Sequence, residues 1–152
     1  MPYDNPHGVA VGLLPVMRSG RIELAGIVRG KFGDDGHGKN ALFGGYVDKG
    51  ESIEQAIARE AEEEIGFLST PSDWRLMHSR HVPEKNINLV FCLYRSLLET
   101  DVLAGTPMSD EVSAFLYIDQ STALAFPLHE EAVRVFYTEY VRLFFDERDE
   151  RR

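Results

Sequence analysis

The chain has 152 residues, of which 43% are hydrophobic and 27% charged, with a formal net charge of −9 and a single cysteine. That length suits one domain with a real core, and the ordinary charged fraction excludes global disorder. The acidic balance, with a pI near 5.0, excludes general binding to a nucleic-acid backbone, which needs a basic patch. It leaves phosphorylated substrates open, because a bound cation inverts the local field. Cys92 has no partner for an internal disulfide, and its setting, INLVFCLYR, marks a buried inert thiol rather than a nucleophile. No run approaches the ~20 apolar residues of a membrane span. The first residues, MPYDNPHG, lack a basic-then-apolar leader. A cytoplasmic protein without membrane contact is the expectation.

In chain order, residues 8–16 (GVAVGLLPV) read as a strand that Pro15 ends, and residues 21–29 (RIELAGIVR) as a second strand. Ser19-Gly20 between them predicts a hairpin turn. Residues 30–40 (GKFGDDGHGKN) are dense in Gly and Asp and form a loop. ALFGGYVDKGE then gives a short strand and a glycine-rich turn. Residues 53–65 read as a helix, with Ser52 and Gln55 as a capping box and Gly66 as a left-handed C-terminal cap. Residues 74–81 and 87–95 read as strands; the second is apolar on both faces and belongs in the middle of a sheet. VSAFLYI, 112–118, is a further strand. In residues 129–145, Ala132, Val133, Phe136, Tyr137, Tyr140, Val141 and Phe144 recur with helical period, and the tail DERDERR reads as a frayed end. Strands, helix, strands, helix is not a regular βα alternation. The fold class expected is α/β in the α+β sense, a mixed β-sheet between helices.

The end of the first helix is poor local chemistry. AREAEEEIG places Glu60, Glu62, Glu63 and Glu64 where the helix carries partial negative charge, and like charges three and four apart repel. Glu60, Glu63 and Glu64 stand at i, i+3 and i+4, within one arc of the surface. Such an oxygen-only group suits a hard divalent cation; a solvated acidic face is the alternative from the run alone. Glu62 points elsewhere and reads as plain surface. Arg59, at i−4 from Glu63, is placed to orient or neutralise the cluster.

The wider spacing decides between these. Gly45, five residues, Glu51, seven residues, Arg59-Glu60-Ala61, one residue, Glu63-Glu64, one residue, Gly66-Phe67 resembles the Nudix box, G-x5-E-x7-R-E-U-x-E-E-x-G-U, at every fixed position, with the small Ala61 at one apolar position. The resemblance implies a Nudix-like α/β/α sandwich over about residues 8–145. It also implies a metal-dependent hydrolase of the pyrophosphate in a nucleoside diphosphate linked to another group. Carried over, Glu60, Glu63 and Glu64, with a carbonyl of Gly44 or Gly45, are the ligands of Mg2+ (or Mn2+), and Glu51 and Arg59 are supporting residues. The general base is Glu60 or Glu63 or, as in members that take it from a loop before a late strand, Glu111 and then Asp110 in GTPMSDEVSAF; Glu99 and Asp101 are weaker candidates. A homodimer is expected by analogy only.

Substrate identity lies outside the box. The GGYVDKGE and AFPLHEEAV segments resemble the branch acting on ADP-ribose, NADH-like or sugar-nucleotide substrates. Clearance of damaged nucleoside triphosphates, or a non-catalytic sensor of nucleotide derivatives, are the other readings; the complete box weighs against the sensor. Where many members read K-W-x-L-P-G-G, this chain has Lys39-Asn40-Ala41-Leu42-Phe43-Gly44-Gly45. Phe43 in the place of Pro either stacks on a base or packs in the core. Lys39, Arg80 and Lys85 are candidate phosphate contacts. His37, His78 and His81 read as surface or satisfied residues, and Trp74 as half-buried packing.

Overall fold

The computed structural model describes residues 4–30, 37–105, 107 and 109–150, with side chains through Phe145. Among the described residues, eight strands form two four-stranded sheets. The first holds β1 (His7–Leu13), β5 (Gly44–Tyr46), β6 (Trp74–Val82) and β7 (Ile87–Tyr94), in the order β5-β1-β7-β6. Its β1–β7 pair is parallel, and its other pairs are antiparallel. The second is antiparallel and centres on β3 (Arg21–Arg29), which pairs with β2 (Pro15–Arg18), β4 (Asn40–Leu42) and β8 (Val112–Ile118). Helix α1 (Ile53–Ile65) packs on one side. On the other lie α2 (Pro127–Val135) and α3 (Val141–Glu150), joined through a π-helical turn at Phe136–Tyr140. The mixed α+β class is as the sequence predicts, but the strands divide between two sheets instead of sharing one.

Alternation along β1 builds the layers. Ala10 faces the cluster with Ala56, Ile57 and Ala61 of α1. Val11 and Leu13 face the cluster with Ala132, Val133 and Phe136 of the C-terminal helices. A two-residue side-chain period on a strand makes this unavoidable. β7 lies between β1 and β6 with Phe91, Cys92 and Leu93 buried, the mid-sheet place its all-apolar sequence predicts. Burial pushes the Cys92 thiol up to about 12, so it is inert. Among the described residues no helix is long and apolar enough to cross a membrane.

Three boundaries differ from the sequence expectation. Pro15 does not close the first strand. The chain leaves β1 after Leu13, and Pro15 opens β2 opposite Leu24. A residue with no N–H fits the first position of a strand better than its ladder. The Ser19-Gly20 hairpin, with φ of 50° and 78°, accordingly joins β2 to β3. Gly44–Tyr46 pairs with β1 as β5 rather than forming only a turn. The last helix starts at Pro127, a favoured first position, and its backbone stays helical to Glu150. The candidate loop 30–40 is described only at Gly30 and from His37 onward, so its remainder lies outside the described residues.

The caps of α1 are as predicted. Ser52 Oγ accepts from Gln55 N–H at 3.0 Å while Gln55 Oε1 accepts from Ser52 N–H at 2.7 Å, and Gly66 closes the helix at φ 69°. Ser52→Ala removes one of these acceptors. It is expected to lower the unfolding free energy by about 1 kcal/mol, read as a lower urea midpoint at unchanged slope; an unmoved midpoint would show that the box does not hold the helix.

Candidate functional site

The site begins with Arg59, in the second turn of α1. Its Nε and Nη2 grip Glu51 in a two-pronged pair, at 2.7 Å to Oε2 and 3.0 Å to Oε1. Nη2 also donates to the Tyr46 carbonyl of β5 at 3.0 Å. Nη1 donates to Glu60 at 2.9 Å and to Glu63 at 3.1 Å. A guanidinium has five N–H groups, and each has an acceptor here. Glu51 is further held by Asp48 N–H at 2.9 Å. The hydrogen bonds from Arg59 hold the Glu51 carboxyl below the usual carboxylate range. Glu51 and Arg59 are thus in direct contact in the folded chain.

The three candidate metal ligands do not converge. Glu60 and Glu64 are buried, at 7% and 8% exposure, whereas the Glu63 side chain is 58% exposed and turned to Arg59. Glu64 Oε2 accepts from Gly44 N–H at 3.2 Å. Glu60 packs on Gly45, where a Cβ would lie 2.3 Å from its Oε1. Only glycine lets the carboxylate settle against that strand. Among the described residues, no three acidic, histidine or cysteine side chains stand close enough together to hold a metal ion. The single three-carboxylate pocket expected from the helical spacing is therefore not formed in this arrangement, because Arg59, the cation within reach, draws Glu60 and Glu63 to itself.

The electrostatics still ask for more positive charge. Burial, and then the neighbouring charge of Glu60, push the Glu64 carboxyl up to about 8; Glu111 adds to the rise, and the Gly44 hydrogen bond opposes it. Burial raises Glu60 as well, against the pull of Arg59, with Glu63 and Glu111 adding to it. Two buried carboxyls, both raised by burial and one further by the charge of the other, form a donor set whose chemistry fits a hard divalent cation. Glu60, Glu64 and Glu63, if released by Arg59, are the side chains that would hold it.

Glu111 reaches this pole from the far sheet, and Gly30 explains how. Gly30 N–H donates to the Glu111 carbonyl at 2.8 Å, and a Cβ on Gly30 would stand 2.0 Å from the Asp110 carbonyl oxygen. A bare glycine lets the 109–111 turn lie flat on the end of β3. The β3–β8 register shifts between Val28 and Arg29, an irregularity that re-aims Arg29. Arg29 acts electrostatically on both Glu64 and His129.

A cavity of about 660 Å³ opens beside this pole, lined by both sheets and the start of α2. Gly44, Gly45, Glu64 and Glu111 form its acidic end, and Val11, Leu42, Leu89 and Phe126 belong to its apolar walls. Arg29 and Lys85 also line it, their cationic groups 5.0 and 6.0 Å from the Phe126 ring centre.

Several other sequence candidates lie elsewhere. Phe43 is fully buried against Trp74, so it packs the core and offers no surface to a substrate. Trp74 is also fully buried, not half-buried, and its indole N–H donates to Ser69. Arg80 is paired with Glu131 of α2 and does not line the cavity. Lys39 and His37 are exposed and likewise do not line it. Asp101 pairs with Arg18. His81 bonds Asn88, and Glu62 is exposed, as expected of surface residues. His78 is not satisfied: its Nε2 is sealed without a hydrogen-bond partner. Sequence reasoning missed Arg29, Gly30, Phe126 and His129. His129 left a signal: it stands at i−3, i−4 and i−7 from Ala132, Val133 and Phe136, a polar residue in an apolar stripe.

The chain matches the NUDIX domain family model over residues 6–140. No curated protein sequence matches it significantly. Solved structures of similar fold include a MutT/nudix family protein from Enterococcus faecalis, with a TM-score of 0.72 at 19% identity over 90% of this chain and 64% of that one. This chain thus spans about two thirds of that protein's length. The NUDIX domain of Shewanella oneidensis NrtR, complexed with ADP ribose, gives 0.67 at 16% identity over 87% and 86%. A C. elegans Ap4A hydrolase in a binary complex gives 0.65 at 18% identity over 86% and 95%. At these identities the likeness is one of fold.

The raised Glu64 carboxyl gives a pH signature. Between pH 4.5 and about 8 the unfolded chain ionises Glu64 while the folded chain keeps it protonated, so the folded state holds more protons and stability falls as pH rises. Glu51, shifted down, acts below that window. In EDTA, Glu64→Gln is expected to melt increasingly above the wild type as pH climbs from 4.5 to 8; a constant difference would refute the raised carboxyl.

Proposed function

The chain belongs to the Nudix family, and from that membership we propose that it is a divalent-metal-dependent pyrophosphohydrolase of a nucleoside diphosphate linked to a second group, with ADP-ribose, NADH-like and sugar-nucleotide compounds as the first candidates. One observation carries the reading: the complete box folds so that buried Glu60 and Glu64 share a pole with Glu111 at the end of a cavity large enough for a nucleotide. The fold is shared with a domain complexed with ADP ribose and with an Ap4A hydrolase, which supports a nucleotide-derivative substrate.

The reaction adds water across a P–O–P bond: the water oxygen bonds to one phosphorus, the bridging oxygen leaves with the other, and two phosphate monoesters result. A bound Mg2+ or Mn2+ would supply charge neutralisation and a more acidic water. Glu60 and Glu64 hold carboxyl oxygens at fixed places, Glu60 braced by Arg59 and Glu64 by Gly44 N–H. Glu111, set down by Gly30, takes the proton of the attacking water, and Arg29 stands near the phosphates. Removal of damaged nucleoside triphosphates uses the same parts and is the alternative. Cytoplasmic location and a homodimer belong to the same proposal, the first from composition and the second from analogy.

Hydrolysis is tested by incubating the protein with ADP-ribose, NADH, sugar nucleotides, diadenosine polyphosphates and nucleoside triphosphates, with and without Mg2+. Metal-dependent release of a nucleoside monophosphate from the linked diphosphates is expected. Pyrophosphate release from triphosphates would select the alternative, and saturable binding without turnover would make the protein a sensor. Glu64→Gln is expected to cut kcat by roughly 100-fold or more. Glu111→Gln is expected to cut it by roughly 100- to 10,000-fold; a variant with full kcat would move the base to Glu60 or Glu63.

A further inference from the structure

The chain crosses from one sheet to the other in three residues, and each is held by a different layer. Leu42 ends β4 and Gly44 begins β5. Leu42 N–H donates to His129 Nδ1 of α2 at 3.3 Å. The Phe43 carbonyl accepts from Gly12 N–H of β1 at 2.9 Å. Gly44 N–H donates to Glu64 of α1 at 3.2 Å. The fit is tight: a Cβ on Gly44 would lie 2.2 Å from the Ala10 carbonyl oxygen, and one on Gly12 would lie 2.4 Å from the Phe43 ring. Planar peptides, with Cα atoms about 3.8 Å apart, leave so short a run no slack. The place of Leu42 therefore sets the place of Gly44.

At Leu42, His129 supplies what a neighbouring strand would. β4 pairs with β3 on one side, Leu42 opposite Gly26, and among the described residues no strand lies on its other edge. The chain entering α2 covers that edge instead. Ala125 N–H donates to the Asn40 carbonyl at 2.8 Å, and His129 takes the N–H two residues further on. Leu42 is 2% and His129 6% exposed, so little water reaches this bond to replace it, and a buried N–H left unpaired is costly. A ring nitrogen that accepts carries no proton, so the hydrogen of the neutral imidazole is on Nε2. Edge contacts with Phe126 and Phe91, their centres 5.0 and 5.8 Å away, fix the ring plane. We propose that His129 is a positioning residue of the cation site: its unprotonated Nδ1 fixes Leu42 and so seats Gly44 against Glu64, making the cation affinity of the Glu60–Glu64 pole depend on an acceptor in α2. This rests on the reading that the pole holds a divalent cation.

The test reads metal binding and resonances, not turnover. Mn2+ affinity by calorimetry, and 15N–1H spectra with and without Mg2+, are compared for wild type, His129→Leu and His129→Asn. Leu fills the space without accepting, and Asn places Oδ1 near the position of Nδ1. His129→Leu is expected to weaken Mn2+ binding by roughly tenfold and to move the Gly44 amide resonance; His129→Asn is expected to restore most of both. In the wild type, where no variant has to fold, the Nδ1 resonance is expected at its unprotonated position, coupled across the hydrogen bond to Leu42 N. By reciprocity, Mg2+ is expected to shift Leu42 and Nδ1 together with Gly44. Wild-type Mn2+ affinity in the Leu variant, an Asn variant no better than Leu, or Leu42 and Nδ1 unmoved while Mg2+ shifts Gly44 would each overturn the assignment. A wild type that binds no Mn2+, with a Gly44 resonance moved by Leu and recovered by Asn, would sink the cation reading and leave the seating of Gly44 by His129 standing.

Discussion

The guanidinium of Arg59 is the interaction on which the site depends. With each of its five N–H groups satisfied, it joins β5 through the Tyr46 carbonyl, the loop before α1 through Glu51, and α1 itself through Glu60 and Glu63. A lysine carries one point charge and could not span those directions. The pair with Glu51 is two-pronged and partly buried, the geometry in which an ion pair gives direction as well as attraction. Because this cation ties α1 to β5, beside the Gly44–Glu64 hydrogen bond, the helix end keeps its acidic residues over the strand despite their mutual repulsion.

Two glycines set the remaining distances. Gly45 brings the Glu60 carboxylate onto β5, and Gly30 brings the Glu111 turn onto β3. The acids at the site come from α1 and from the turn before β8, and each glycine contact is closer than any side chain permits. The cavity then lies between the sheets, with the acidic residues at one end and apolar walls behind it, Arg29 and Lys85 standing beside Phe126.

The box was legible because its chemistry is local. Ser52, Gln55 and Gly66 fix the ends of α1, and helical geometry puts Glu60 and Glu64 on one side. The orientation of Glu63 was not legible, since it depends on where Arg59 finds its acceptors, and Tyr46 O is supplied by a strand the sequence did not reveal. Phe43 shows the other side of this: in the place of a common Pro it fits either stacking on a base or packing in the core, and its place between β4 and β5 turns it into the core beside Trp74. Arg29 and Lys85 join the cavity only because β3 and the 83–85 turn meet across the sheets, a juxtaposition with no local signature. Glu111 could be guessed as a loop acid, but the glycine that seats it lies about 80 residues earlier in the chain.

The parallel β1–β7 pair has a consequence for how this protein acquires its shape. Every rung of that ladder, from His7 with Ile87 to Leu13 with Leu93, joins residues 80 apart in sequence. The cluster around Arg59 spans only residues 46–63. Closing so long a loop costs entropy before it returns any contact, and topologies of this kind fold slowly. The acidic corner can take form from a short stretch of nascent chain, whereas the cavity acquires its β7 wall only after synthesis has passed Leu93.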